Sequence, residues 1–143
     1  MLSWWKVWGL FFTLLISACQ SGSGSPSASL SINSAQKPVQ AVASIAQIAQ
    51  KCWFKSGDKN FNGMRMSNEV NSYAGRPRFL LVKRSDPNGL PLLVVQAEKK
   101  GSTTSGTYTN IQTFGPLLQT TNGKRITDDV SHWSKGNTDC RTL

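Results

Sequence analysis

The chain is short of acids. Seven Asp and Glu stand against 16 Lys and Arg, a formal net charge of +9. With carboxylates so sparse, no paired-acid arrangement of the kind hydrolases use is recognisable. Asp58, Glu69, Asp86, Glu98 and Asp139 are scattered, each among turn or surface neighbours. His132 is the only histidine, and there are three cysteines. That is too thin a set of soft ligands for a metal site, which needs about four at characteristic spacings. The 12 glycines fall mainly in turns and in one Ser/Gly-rich segment, and none forms a phosphate-cradling motif. No cofactor motif and no internal repeat is visible. The main apolar stretch, Val7 to Ile16, is ten residues long, half of the roughly 20 a membrane-spanning helix needs.

That stretch has the length of a secretory signal. Met1 to Lys6 supplies a short n-region with one positive charge, and the small residues Ser17 and Ala18 precede Cys19. Ile16-Ser17-Ala18-Cys19 resembles the lipobox of bacterial lipoproteins: an aliphatic residue, two small ones and an obligatory Cys. The resemblance implies that residues 1–18 are removed, that the Cys19 thiol carries diacylglycerol and that its new amine is acylated. Several acyl chains, such as palmitate, would anchor the chain stably, since each buried CH₂ contributes about 0.8 kcal/mol. By resemblance to the enterobacterial sorting pattern, an Asp after the Cys retains a lipoprotein in the inner membrane. Gln20 stands there instead, which implies the outer membrane, with the domain in the periplasm or exposed at the surface. Residues 19–37, beginning Cys-Gln-Ser-Gly-Ser-Gly-Ser-Pro, read as a flexible tether with a mean span of about 25 Å.

With Cys19 assigned to lipid, Cys52 and Cys140 remain. An even remainder in an exported chain implies a disulfide, of the kind routinely made in a Gram-negative periplasm. Residues 38–143 are expected to fold as one small α+β domain: one N-terminal helix packed on an antiparallel sheet of four or five strands, stapled by that bond. Val42, Ile45, Ala46, Ala49, Cys52 and Trp53 recur at helical spacing over Val39–Cys52, with Pro38 at the first position. Phe79–Arg84 and Leu92–Ala97 flank Ser-Asp-Pro-Asn-Gly and read as a hairpin. Thr107–Phe114 and Met64–Val70 read as further strands. Asn122-Gly123 suggests a tight turn joining Leu117–Thr121 to Lys124–Ile126. Thr127, followed by Asp128 and Asp129, reads as a helix N-cap with acids on the positive dipole end.

A hairpin turning at Pro87-Asn88 places Arg76 opposite Lys99 and Arg78 opposite Ala97. Arg76, Arg78, Lys99 and Lys100 then gather at its open end as a candidate anion-binding patch. The alternative for such charges is protection of strand ends against edge pairing. An exported domain rarely meets nucleic acid, so the partners expected of its positive charge are anionic envelope materials such as lipopolysaccharide or peptidoglycan, or an envelope protein. Ser131, His132 and Asp128 or Asp129 are neighbours in sequence, which is no indication of triad geometry.

Cys52-Trp53-Phe54, Gly75-Arg76-Pro77-Arg78 and the hairpin up to Glu98 resemble small exported proteins of alphaproteobacteria that have no assigned role, a resemblance that implies no activity. The function expected is a non-catalytic cell-envelope lipoprotein that binds or supports an envelope component. The alternatives are an inhibitor of an envelope-degrading enzyme, such as lysozyme, and a hydrolase using His132. Lysozyme is basic and calls for an acidic inhibitor, against which the surplus of cations counts.

Overall fold

The computed structural model describes residues 28–71, 75–102 and 104–141. The expected signal, Cys19 and the Ser/Gly-rich residues up to 27 lie outside the described residues. The elements in chain order are β1 (Ser29–Ser34), α1 (Pro38–Ala49), β2 (Met64–Glu69), β3 (Arg78–Lys83), β4 (Leu93–Ser102), β5 (Gly106–Phe114) and α2 (Gly123–Ser134). The strands form one antiparallel sheet in the order β1-β5-β4-β3-β2. This is the expected α+β class with five strands, and it carries a second helix.

Strand alternation decides which side chains face the helices. Phe79 and Leu81 of β3, Leu93, Val95 and Ala97 of β4, and Ile111 of β5 point inward and are buried. They pack with Val42, Ile45 and Ala49 of α1 and with Ile126, Val130 and Trp133 of α2. Burying a large apolar side chain contributes about 1.5–3 kcal/mol, so this layer carries most of the driving force. The outer face is polar over much of its area. Gln96 donates Nε2 to Gln112 (2.8 Å), and Asn110 donates to Ser31 and Asn33 (2.9 and 3.0 Å), which stitches β1 to β5. Leu80, Val82 and Val94 form a small apolar cluster of their own on that face.

Four expectations need correction. The supposed tether up to Lys37 ends earlier, because Ser29–Ser34 pairs with β5 as an edge strand. Its burial alternates, with Leu30, Ile32 and Ser34 turned inward; two apolar residues among serines are a weak signal, and pairing with β5 supplies the rest. The first helix stops at Ala49 and continues as a wider π-type turn, Gln50–Lys55, which keeps Cys52 and Trp53 buried. Asn122-Gly123 joins no strands. Pro116–Gln119 is a 3₁₀ turn, and α2 starts at Gly123. A Cβ on Gly123 would overlap the Leu118 carbonyl, so this glycine serves a close backbone approach rather than a hairpin. Thr127 lies inside α2 and donates its hydroxyl to the Lys124 carbonyl; the N-cap is Asn122.

The β3–β4 hairpin is present, shifted by one residue. Arg78 pairs with Gln96 rather than Ala97. The inward Phe79-Val95 and Leu81-Leu93 pairs demand this register, because a one-residue slip would turn Ala97 and its row to the wrong face. No helix among the described residues is long and apolar enough to cross a membrane.

Candidate functional site

Cys52 and Cys140 are joined by a disulfide, with Cα atoms 5.2 Å apart. It ties the end of the first helical segment to the C-terminal stretch after α2. Trp53, next to Cys52, is fully buried. Its ring stacks on Phe61 at a centroid distance of 4.9 Å and meets Trp133 at 5.2 Å.

A buried indole N–H needs an acceptor, and Trp53 donates to Asp129 Oδ2 at 2.8 Å. Asp129 is 2% exposed. Burial pushes its carboxyl above the ordinary range, opposed by the Trp53 hydrogen bond and the Arg125 charge. Arg125 Nε lies 3.6 Å from Asp129, and Nη1 donates to Asp58. Burial also acts upward on Asp58, but the Asn60 backbone N–H and Arg125 outweigh it and hold that carboxyl below its usual value. Arg125 also sits over the Phe61 ring, 5.7 Å from its centroid. Asp58, Arg125, Asp129 and Trp53 thus form one internal polar chain. It is buried at Asp129 and Trp53, partly exposed at Arg125 and Asp58, and suits a structural role. The i,i+4 spacing of Arg125 and Asp129 was readable as a helix pair. Their link to Trp53, 76 residues away, left no sequence signal.

The four cations expected to cluster do not form a free patch. Glu98 is bound by Lys100 at 3.0 Å and Arg76 at 3.5 Å, and the Lys100 hydrogen bond leads in holding its carboxyl below the ordinary range. Arg78 is held by Glu69 at 2.6 Å. Lys99 stands apart: it follows Val95 and Ala97 on the helix-side face, whereas Lys100 shares the outer face with Glu98. The alternation of β4 sets Lys99 and Lys100 on opposite faces, the register brings Arg76 and Lys100 to Glu98, and β2 brings Glu69 to Arg78.

His132 faces Asp139 through Nε2 (2.8 Å) and Asn137 through Nδ1 (3.3 Å). Asp128 is taken by Lys124 at 2.7 Å and Asp129 by Trp53, so neither orients the imidazole. The Ser131 carbonyl accepts from the Ser134 hydroxyl. Among the described residues no hydroxyl or thiol is hydrogen-bonded to His132, and no group of three His, Cys, Asp or Glu could hold a metal.

A cleft of about 540 Å³ opens at the sheet end where α1 begins, a size that suits a small ligand. Its walls are Lys37 to Gln40 before and within the first turn of α1, Gly75 and Pro77 ahead of β3, and Lys99, Thr107, Tyr108 and Thr109 of β4 and β5. Thr109 donates its hydroxyl to the Gln36 carbonyl at 2.5 Å, which pins the rim to the sheet. Lys37 and Lys99 are exposed and, among the described residues, have no carboxylate partner. Val39 and Tyr108 are 49% and 44% exposed, two of the four exposed large apolar side chains among the described residues. Free cations beside apolar walls suit a ligand with an anionic group on an apolar or sugar body. Of the four residues of the expected patch, only Lys99 lines this cleft; Lys37 is the last residue of the expected tether.

No family model matches the chain, and no curated protein or solved structure is significantly similar to it.

Proposed function

We propose that this protein is a non-catalytic cell-envelope lipoprotein, anchored in the outer membrane through Cys19, whose periplasmic domain binds an anionic envelope component. The observation that carries the reading is the partition of the cysteines. Two of three are spent on one disulfide, as an oxidising compartment allows, and the third follows Ile16-Ser17-Ala18 at the lipobox position. The cleft between Lys37 and Lys99 is where the ligand goes, phosphate of lipopolysaccharide or carboxylate of peptidoglycan.

Two measurements test this. Cells fed an alkyne fatty acid should label the wild-type protein, and Cys19→Ala should abolish the label and leave the precursor mass. A Cys19→Ala protein that still takes up label refutes the anchor. Purified protein should co-sediment with isolated envelope material in a salt-sensitive way. Lys37→Glu with Lys99→Glu should weaken that binding at least tenfold, by about 1.5 kcal/mol or more, while Arg76→Gln with Lys100→Gln, whose cations are already held by Glu98, should change it little. The reverse ranking removes the cleft as the site.

A further inference from the structure

The two ends of the sheet differ in chemistry. One end holds the cleft. The other gathers Ser29 at the start of β1, Phe114 at the end of β5, Leu93 at the start of β4 and Lys83 at the end of β3, as the registers Ser29-Phe114, Val94-Phe114, Leu81-Leu93 and Met64-Lys83 require. Leu90, in the β3–β4 connection at this end, is 91% exposed, and Phe114 is 37% exposed. They are the remaining two of the four exposed large apolar side chains among the described residues. The backbone of Gly115 lies against Leu92, with Leu117 N–H donating to the Leu92 carbonyl at 2.9 Å, so the two segments are packed together. Lys83 and Arg84, at the β3 side of the same end, are exposed and, among the described residues, unpaired by any carboxylate. Arg84 donates Nε to the Asn62 carbonyl at 3.1 Å, which holds the guanidinium at this end. Asp86 is the one acid in the connection.

We infer that this end of the sheet docks on the anionic phospholipid leaflet that holds the anchor, with Leu90 and Phe114 entering the headgroup region and Lys83 and Arg84 on lipid phosphates. The inference rests on the lipoprotein reading. Residues 20–28 connect Cys19 to Ser29, and even fully extended they reach only about 35 Å. Ser29 pairs with Phe114, so the chain enters the fold at the end that carries the apolar tips, and tethering there raises the effective concentration of that end at the lipid surface. Basic groups beside exposed apolar side chains are the combination that an anionic interface attracts. With this end down, the Lys37–Lys99 cleft at the far end of the strands opens away from the membrane.

The test uses the full mature, acylated protein reconstituted in vesicles. Leu90→Cys and, at the opposite end, Thr104→Cys are each labelled with bimane and exposed to headgroup-proximal nitroxide lipid. In vesicles containing phosphatidylglycerol, the label at 90 should be quenched several-fold more than the label at 104. Vesicles of phosphatidylcholine alone should narrow the difference. Lys83→Glu with Arg84→Glu should cut the docking equilibrium constant by about thirtyfold or more, since each basic residue near a charged surface adds attraction that the reversed charge turns to repulsion. Equal quenching at the two positions in anionic vesicles overturns the docking and leaves the anchor intact. A mature N-terminus lacking acyl mass, read from the same sample before reconstitution, overturns the reading beneath it and the docking together.

Discussion

Replacing Cys52 and Cys140 together by Ala should lower stability by about 4–5 kcal/mol, the chain-entropy value for a cross-link of this span. The bond joins residues 88 apart, so its loss frees almost the whole domain in the unfolded state. The folded state loses something as well. Residues 135–141 contain no helix or strand and are held to α2 by the Trp133 indole donating to the Asp139 carbonyl at 3.0 Å and by the His132–Asp139 pair. Without the disulfide, that stretch frays and the Trp133 N–H loses its acceptor. A small domain has about 5–15 kcal/mol in all, so the variant should be near the edge of folding at physiological temperature. Urea unfolding followed by tryptophan fluorescence measures this. With a slope of about 1.5 kcal/mol per molar, the midpoint should fall by about 3 M. A fall under about 0.5 M would mean that packing alone holds the ends.

Arg125→Met should cost about 3 kcal/mol near neutral pH, and the cost should shrink in acid. Methionine keeps much of the apolar stem over Phe61, so the change is chiefly the loss of charge. At neutral pH it leaves Asp58 and the buried Asp129 without their cation, and an unpaired buried charge costs about 3–5 kcal/mol; the partial exposure of Arg125, 14%, places the effect at the low end. The direction with pH follows from the two carboxyls. Asp129 is raised in the folded state, first by burial, so its contribution is favourable below the ordinary carboxylate pKa and is lost as pH rises through the raised value. Asp58 is lowered, so its contribution is present above its unfolded value and is lost as pH falls through the lowered one. Removing Arg125 hurts most when both are ionised. At about pH 4, near the unfolded carboxylate value, the penalty should be smaller than at neutral pH, because Asp129, raised by burial, takes up its proton first, while the lowered Asp58 keeps its charge longer. Paired urea titrations of wild type and variant at both pH values decide it. An equal loss at both would assign the effect to packing rather than charge.

The outcome for the acids and cations shows why sequence was a partial guide. The helix over residues 38–49, the strands at 64–69, 78–83 and 106–114 and the returning strand from 93 were readable, because each has a clear period or a turn signal at its edge. β1 was missed because SLSINS looks like the low-complexity residues before it and is stabilised by a partner 79 positions later, Ile32 against Ile111. α2 was obscured because Asn-Gly is a strong local turn signal, while Ile126, Asp129, Val130 and Trp133 fall at helical spacing with an acid in the apolar stripe. That acid is explained only by an indole from another element.

Sequence by itself determined the class of domain, the hairpin, the pairing of Cys52 with Cys140 once Cys19 is set aside, and an excess of positive charge. Those follow from period, turn chemistry and counting, which are local or global properties of the chain. Tertiary structure alone decided where that charge is free. The register of β3–β4 and the two-residue alternation of β4 put Arg76 and Lys100 beside Glu98, and the β2–β3 pairing sets Arg78 against Glu69, leaving Lys99 with Lys37 in a cleft at one end of the sheet and Lys83 and Arg84 with Leu90 and Phe114 at the other. Coulombic and apolar contacts act over a few ångströms of space, and only the folded sheet brings those residues within that range.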